Sequence, residues 1–278
     1  MIPPVVDNFV AGETPAAACD HAATLNERGV GAILNLLGEH YERRDAAAAD
    51  ARAYVDLLEL IDARGRDACV SVKPSQIGLE IDRSCFEDNL ERIVERAAET
   101  GGFVWLDMED RTTTDATLDA FERHATETGG QVGVCVQANL KRTPEDLERL
   151  AALPGKVRLV KGAYDEPPDL AHTDGERVDE AFRDCLARMF REFDDGIAVG
   201  SHDPAMVAHA RDLHAEYGTP YEVQMLMGVR EEAQFDLAGA VDVYQYVPYG
   251  EKWFSYFSRR IRERKENALF ALRAVLSG

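Results

Sequence analysis

Lysine is scarce in this chain of 278 residues: Lys73, Lys141, Lys156, Lys161, Lys252 and Lys265 are all there is, and the other bases are arginine. Against 31 bases stand 51 acids, for a formal net charge of -20. Phosphate binding needs a basic footprint, so nucleic acid is excluded as a partner and an anionic membrane surface is disfavoured. The acids run along the whole chain, Asp165-Glu166 and Asp194-Asp195 among them, so the entire surface is negative and repels itself unless screened. A salt-rich cytoplasm is the expectation.

Cysteine is also sparse, with Cys19, Cys69, Cys85, Cys135 and Cys185 odd in number and without short metal-ligand spacing. They read as free cytosolic thiols. No second histidine stands at metal spacing from His202, which argues against a zinc site. No apolar run approaches the roughly 18 residues that span a bilayer, and no leader-like segment opens the chain. A Gly-x-Gly-x-x-Gly turn is missing too, since Gly12, Gly29, Gly31 and Gly38 are too scattered to supply one. No Pro/Ser/Gly-rich linker interrupts the sequence, so residues 1–278 read as one domain.

What is present is a regular alternation of short apolar runs and amphipathic stretches, the rhythm of a parallel α/β sheet. Strands are expected at Gly31–Leu37, Ala68–Val72, Phe103–Met108, Gln131–Gln137, Val157–Gly162, Gly196–Ser201, Tyr221–Leu226 and Asp242–Val247. Helices are expected at 46–63, 86–99, 115–127, 144–152, 176–193, 204–217 and 231–237, with a last long one over 253–276 and an extra one, 14–28, before the first strand. Thr143 is expected to cap the helix that Pro144 opens. Eight such units favour a closed (β/α)8 barrel of the TIM type over a doubly wound sheet.

A barrel places its active site at the C-terminal ends of the strands. Polar residues there are Lys73, Asp107, Glu109, Gln137, Asn139, Lys161, Tyr164, Ser201, His202, Gln224 and Tyr246. Each has a plain alternative. Lys73 reads equally as a solvated loop lysine, Asp107 and Glu109 as helix caps or partners of Arg111, and His202 as a structural histidine. The segment Val157–Tyr164 (VRLVKGAY) is harder to dismiss, because it sets Arg158 and Lys161 in an apolar strand and Arg158 has no acid nearby in sequence. A buried cation is costly unless something anionic or electron-rich meets it. Arg259, Arg260 and Glu263 on the last helix suit either a salt-bridged surface or a guanidinium fork for a carboxylate.

The segments Val70–Ser75 (VSVKPS), Trp105–Glu109 (WLDME), Val136–Arg142 (VQANLKR), Val157–Tyr164, Tyr246–Gly250 (YVPYG) and Arg259–Glu263 (RRIRE) resemble, in order, the motifs of FAD-dependent proline dehydrogenases. Phe9–Glu13 (FVAGE) and Leu36–Glu39 (LLGE) extend the likeness to the N-terminus. The resemblance implies a distorted (β/α)8 barrel with the last helix over the strand ends, and FAD at that face. It further implies oxidation of L-proline to Δ1-pyrroline-5-carboxylate by hydride transfer to flavin N5, with electrons passed to a quinone or other acceptor. The expected location is the cytoplasm, with peripheral contact at the inner face of the membrane, to reach a quinone, left open.

By the same resemblance Arg158 stands beside flavin N5, and Met108, Gln137, Lys161, Gly162, Ala163, Ser201 and His202 hold the cofactor. Lys73, Arg259 and Arg260 clamp the substrate carboxylate, Tyr164, Leu226 and Tyr246 pack its ring, Asp107 orders the cationic centre, and Glu263 buttresses the arginines. Departures are Asn139 where the family has Tyr, Asp203 where it has Asn, and Met227 where Tyr is common. With no aldehyde dehydrogenase domain following, the expected form is monofunctional and passes its product to a separate pyrroline-5-carboxylate dehydrogenase. The residues alone also allow a Schiff-base aldolase built on Lys161, or a non-catalytic scaffold.

Overall fold

A computed structural model describes residues 8–254. Eight parallel strands close on themselves in chain order: β1 (Gly31–Leu36), β2 (Ala68–Val72), β3 (Val104–Leu106), β4 (Val132–Gln137), β5 (Lys156–Val160), β6 (Ile197–Gly200), β7 (Tyr221–Leu226) and β8 (Asp242–Tyr249). Closure is made by β1 against β8, with Ile33 opposite Tyr246 and Leu36 opposite Tyr249. All eight expected strands are found. β5 stops at Val160 rather than Gly162 because Gly162 takes a φ of +115°, off the extended region and open only to glycine at low cost. β3 leaves its ladder earlier than expected, after a last bond from the Asp107 N–H to the Val72 carbonyl at 2.9 Å.

Around the barrel lie α1 (Pro15–Asn26), α2 (Arg44–Ala63), α3 (Arg83–Thr100), α4 (Thr114–Thr128), α5 (Thr143–Leu150), α6 (Gly175–Glu192), α7 (Pro204–Tyr217) and α8 (Glu231–Leu237). Local chemistry sets their ends. Thr14, Asp82, Asp174 and Asp203 cap α1, α3, α6 and α7 with side-chain oxygens, and left-handed Gly101, Gly129 and Gly218 terminate α3, α4 and α7. Thr143 does not cap α5. It is the first helical residue, and its hydroxyl instead donates to the backbone carbonyl of Gln137, tying the helix to the end of β4. Trp253 and Phe254 are helical, and the rest of the last helix expected over 253–276 falls outside the described residues.

Strand residues are buried on both faces, as a parallel barrel requires. One face packs against the helices through Leu34, Val70, Val72, Val134, Leu159 and their neighbours. Inside the barrel Ile33, Cys69, Trp105 and Ala198 form a second cluster, with Phe103, Tyr244 and Tyr246 against it. Gly133 makes room for the indole, since a Cβ there would stand 2.6 Å from the Trp105 ring. Truncating a buried aromatic of this kind costs about 3–5 kcal/mol. All five cysteines are free and buried.

Candidate active site

Parallel strands in register turn partner residues to the same side, so Arg158 on β5 shares the barrel interior with Cys135 on β4 and Ala198 on β6. It is 5% exposed. Its Nη1 donates to Gln224 Oε1 at 3.0 Å, and its Nη2 donates to Asp107 Oδ1. The guanidinium carbon lies 4.9 Å from the Trp105 ring centroid and 5.8 Å from that of Tyr246. The acid missing from the local sequence is therefore Asp107, delivered by β3 from across the barrel. Burial works against the charge on Arg158. The facing Cys135 sulfur and the Asp107 carboxylate outweigh that and raise its pKa above the ordinary arginine value. Burial also pushes the Cys135 thiol up, so at neutral pH the thiol keeps its proton and Asp107 is the counter-charge.

Asp107 gathers four partners. Ser71 Oγ donates to its Oδ1 at 2.7 Å, Tyr246 OH donates to its Oδ2 at 2.6 Å, Lys73 Nζ lies 3.5 Å from Oδ2, and Arg158 completes the set. Burial would raise its pKa, but Arg158, Lys73 and the two hydroxyls pull it below the usual aspartate value. Burial, then the neighbouring carboxylate, lifts the Tyr246 hydroxyl well above the ordinary tyrosine value, which keeps it a donor. Lys73 is no solvated loop lysine: its side chain is only 17% exposed. Two cations against one carboxylate leave this centre one positive charge in excess, suited to an anionic group.

Neither Asp107 nor Glu109 caps a helix or pairs with Arg111. Arg111 pairs with Glu166 at 3.3 Å, while Glu109, 2% exposed, accepts from the Ser75 N–H at 2.7 Å and the Ser75 hydroxyl at 2.6 Å. Gln137 Nε2 donates to the Glu109 carbonyl at 2.9 Å, and its Oε1 faces the Ala163 N–H at 3.5 Å. Ala163 is exposed and Gly162 and Tyr164 are half-buried along the same turn, whereas Met108 is buried.

Lys161 turns away from this centre. Its ammonium donates to Asp179 on α6 and, at 2.8 Å, to Asp203 at the start of α7. Burial alone would lower its pKa, and the two carboxylates overcome that and raise it. Asp203 in turn sends its N–H to Ser201 Oγ at 3.2 Å. His202 Nε2 accepts from the Leu226 N–H at 2.8 Å, which leaves Nδ1 as the protonated nitrogen of the neutral ring. Lys73, Asp107, Arg158 and Tyr246 thus form one bonded cluster, Gln137 and Ala163 a second, and Lys161, Ser201, His202 and Leu226 a third group along the β6–α7 turn. Arg259, Arg260 and Glu263 lie outside the described residues.

The strand-end candidates included Gln224 but not Ser71, Trp105, Cys135 or Glu222. The signal for Glu222 was its alternation with Gln224 within β7, the period of one strand face.

The family model described as proline dehydrogenase matches residues 18–273. A protein of Deinococcus radiodurans named proline dehydrogenase is 35% identical over 285 residues, covering 99% of this chain and 91% of its own. Proline dehydrogenase 1 of Bacillus subtilis is 34% identical over 272 residues, covering 96% and 89%. Among solved structures, proline utilization A (PutA) from Bdellovibrio bacteriovorus, inactivated by N-propargylglycine, superposes with a TM-score of 0.84 at 22% identity. That from Corynebacterium freiburgense does so with a TM-score of 0.82 at 23% identity. The chain spans 92% and 96% of itself in these matches but 32% of each PutA chain, and they carry the barrel fold. With the family model running almost end to end and near relatives covered over most of their length, the chain belongs to the proline dehydrogenase family.

Proposed function

We propose that this chain oxidises L-proline to Δ1-pyrroline-5-carboxylate, the first step of proline catabolism, with FAD held at the C-terminal mouth of the barrel. When bound, FAD supplies the two-electron acceptor that the reaction requires. The residues at the mouth suit such a group. Gly162 bends back at φ +115°, Ala163 is exposed beside it, and Asn139 Oδ1, buried next to Gly162, has no hydrogen-bond partner among the described residues. A buried acceptor without a donor at a backbone turn suits a ligand rich in N–H and O–H groups.

In this reading Arg158 is a fixed cation at the electron-accepting centre, held by Asp107 and Gln224 so that no reorganisation is needed when negative charge develops. Asp107 acts as a permanent carboxylate, since its depressed pKa keeps it ionised, and it orders Arg158, Lys73 and Tyr246. Lys73, with Arg259 and Arg260, binds the substrate carboxylate, while Tyr164, Leu226 and Tyr246 pack the pyrrolidine ring. Met108, Gln137, Gly162, Ala163, Ser201 and His202 hold the cofactor, and Glu263 at the same face buttresses the arginines. Lys161 contributes through its backbone and through the acids that grip its ammonium.

Electrons pass to a quinone or another acceptor, and a separate pyrroline-5-carboxylate dehydrogenase consumes the product. A single domain over 1–278 accords with the family match over 18–273. No helix among the described residues is long and apolar enough to cross a membrane. The proposed place of action is the cytoplasm, with contact at the inner face of the membrane to reach the quinone. The aldolase alternative is weakened by Lys161, whose ammonium is tied to two carboxylates and aimed at α6 and α7.

The carrying observation is the cluster of Asp107, Arg158, Lys73 and Tyr246 inside a chain of this family. Purified protein supplied with FAD is expected to show an oxidised-flavin spectrum that bleaches anaerobically on adding proline. A protein that binds no flavin, or whose flavin ignores proline, sinks the reading.

A further inference from the structure

A single file of hydrogen bonds runs through the barrel interior beneath the candidate site. At its lower end Lys156, the first residue of β5, pairs with Glu222 of β7. Glu222 Oε1 accepts from Gln224 Nε2 at 2.6 Å, Gln224 Oε1 accepts from Arg158 at 3.0 Å, and Arg158 donates to Asp107. Asp107 then meets Tyr246, Ser71 and Lys73. The β5 side chains reach those of β7 because the strand between them presents only Ala198 and Gly200, where even a Cβ on Gly200 would come within 3.3 Å of Arg158 Cγ. Glu222 and Gln224 are 6% and 4% exposed, so their polar atoms are committed to this file rather than to water.

The file has a direction. A carboxylate only accepts and a guanidinium only donates, so an amide between them has one allowed orientation, with its NH2 on Glu222 and its oxygen on Arg158. Glu222 thereby decides which end of Gln224 meets Arg158. Lys156 balances the Glu222 charge, with its ammonium also 5.4 Å from the Phe103 ring and 5.7 Å from the Tyr244 ring, at the edge of a cavity of about 450 Å³ on the N-terminal side of the barrel.

We propose that Gln224 and Glu222 are positioning residues that fix the Arg158 guanidinium from below, as Asp107 fixes it from above, and so set how readily the centre at the mouth accepts electrons. The inference rests on the flavin reading given above. It predicts an effect on the chemical step rather than on proline binding, because neither residue belongs to the proposed carboxylate clamp.

The test uses the FAD-loaded full chain and two variants. Gln224→Leu removes the acceptor and is expected to lower kcat about tenfold, the cost of one hydrogen bond to a charged group, while the proline KM stays within about twofold. The midpoint potential of its flavin should fall, by about 30 mV for each tenfold change in the reduction equilibrium of a two-electron couple. Glu222→Gln, which keeps the volume, should shift both in the same direction by a smaller factor and serves if Gln224→Leu does not fold. Loaded variants with the parent's kcat and potential overturn the proposal, even where their melting temperature drops. Failure of the parent protein to bleach with proline would count against the flavin reading alone. The position of Arg158 in flavin-free crystals of either variant then decides the file: a displaced guanidinium supports it, an unmoved one overturns it.

Discussion

Tyr246 donates its hydroxyl to Asp107 at 2.6 Å across a sequence separation of 139 residues, a contact that exists only because β8 closes the barrel beside β1. Replacing it tests how the carboxylate is held. Tyr246→Phe leaves Asp107 with Ser71, Arg158 and Lys73, so one hydrogen bond to a charged group is lost without stranding the charge. The expected cost is about 1.5–3 kcal/mol in urea unfolding, with a rise of about tenfold in the proline KM. An unchanged KM would remove Tyr246 from the substrate pocket.

Asp107 also makes a prediction in pH. Its folded pKa lies below that of an unfolded aspartate, so the folded state holds fewer protons. The stability it contributes is complete above the unfolded value, about pH 4, and drains away as the pH falls through the depressed folded value. Urea unfolding of the parent and of Asp107→Asn, followed into that acid range, should show the parent losing stability more steeply. Parallel curves would mean that Arg158 and Lys73 do not hold the carboxylate ionised.

Gly162 carries two constraints at once. Its φ is +115°, and a Cβ there would stand 2.1 Å from Asn139 Oδ1. Gly162→Ala is therefore expected to destabilise the protein by about 1–3 kcal/mol from backbone strain, with the clash in addition, and to lower its flavin content. Adding Asn139→Ala should recover the steric part only. Full recovery of the melting temperature in the double variant would show that the backbone conformation costs nothing.

The two carboxylates on Lys161 make it a poor nucleophile at neutral pH, because they hold its pKa up. Treatment with borohydride and a panel of small carbonyl compounds should leave Lys161 unlabelled by mass spectrometry. A stable adduct there would revive the aldolase.

Arg259→Ala and Arg260→Ala test the clamp implied by the family resemblance. Each should raise the proline KM steeply while the oxidised-flavin spectrum stays in place, as steady-state kinetics and absorbance can show. A wild-type KM in both would mean that the carboxylate is bound elsewhere.

The sequence by itself determined the barrel. Strands buried on both faces leave apolar runs such as Ala68–Val72 and Val132–Gln137, and Asp, Thr and Gly at helix ends mark the turns between them, so the eight-fold rhythm is local information. The candidate residues at strand ends were legible for the same reason, since the fold fixes which end carries chemistry. Partners were not legible. Arg158 reads as unpaired because its acid lies 51 residues away, just past the end of β3, and Thr143 reads as a cap because its real acceptor, the Gln137 carbonyl, follows only from how β4 ends. Two strand-end lysines go opposite ways: Lys73 turns in to Asp107, and Lys161 turns out to Asp179 and Asp203. Tertiary structure decided these pairings, and with them the charge state of each group, because both depend on which side chains strand tilt and barrel closure bring within about 3–4 Å.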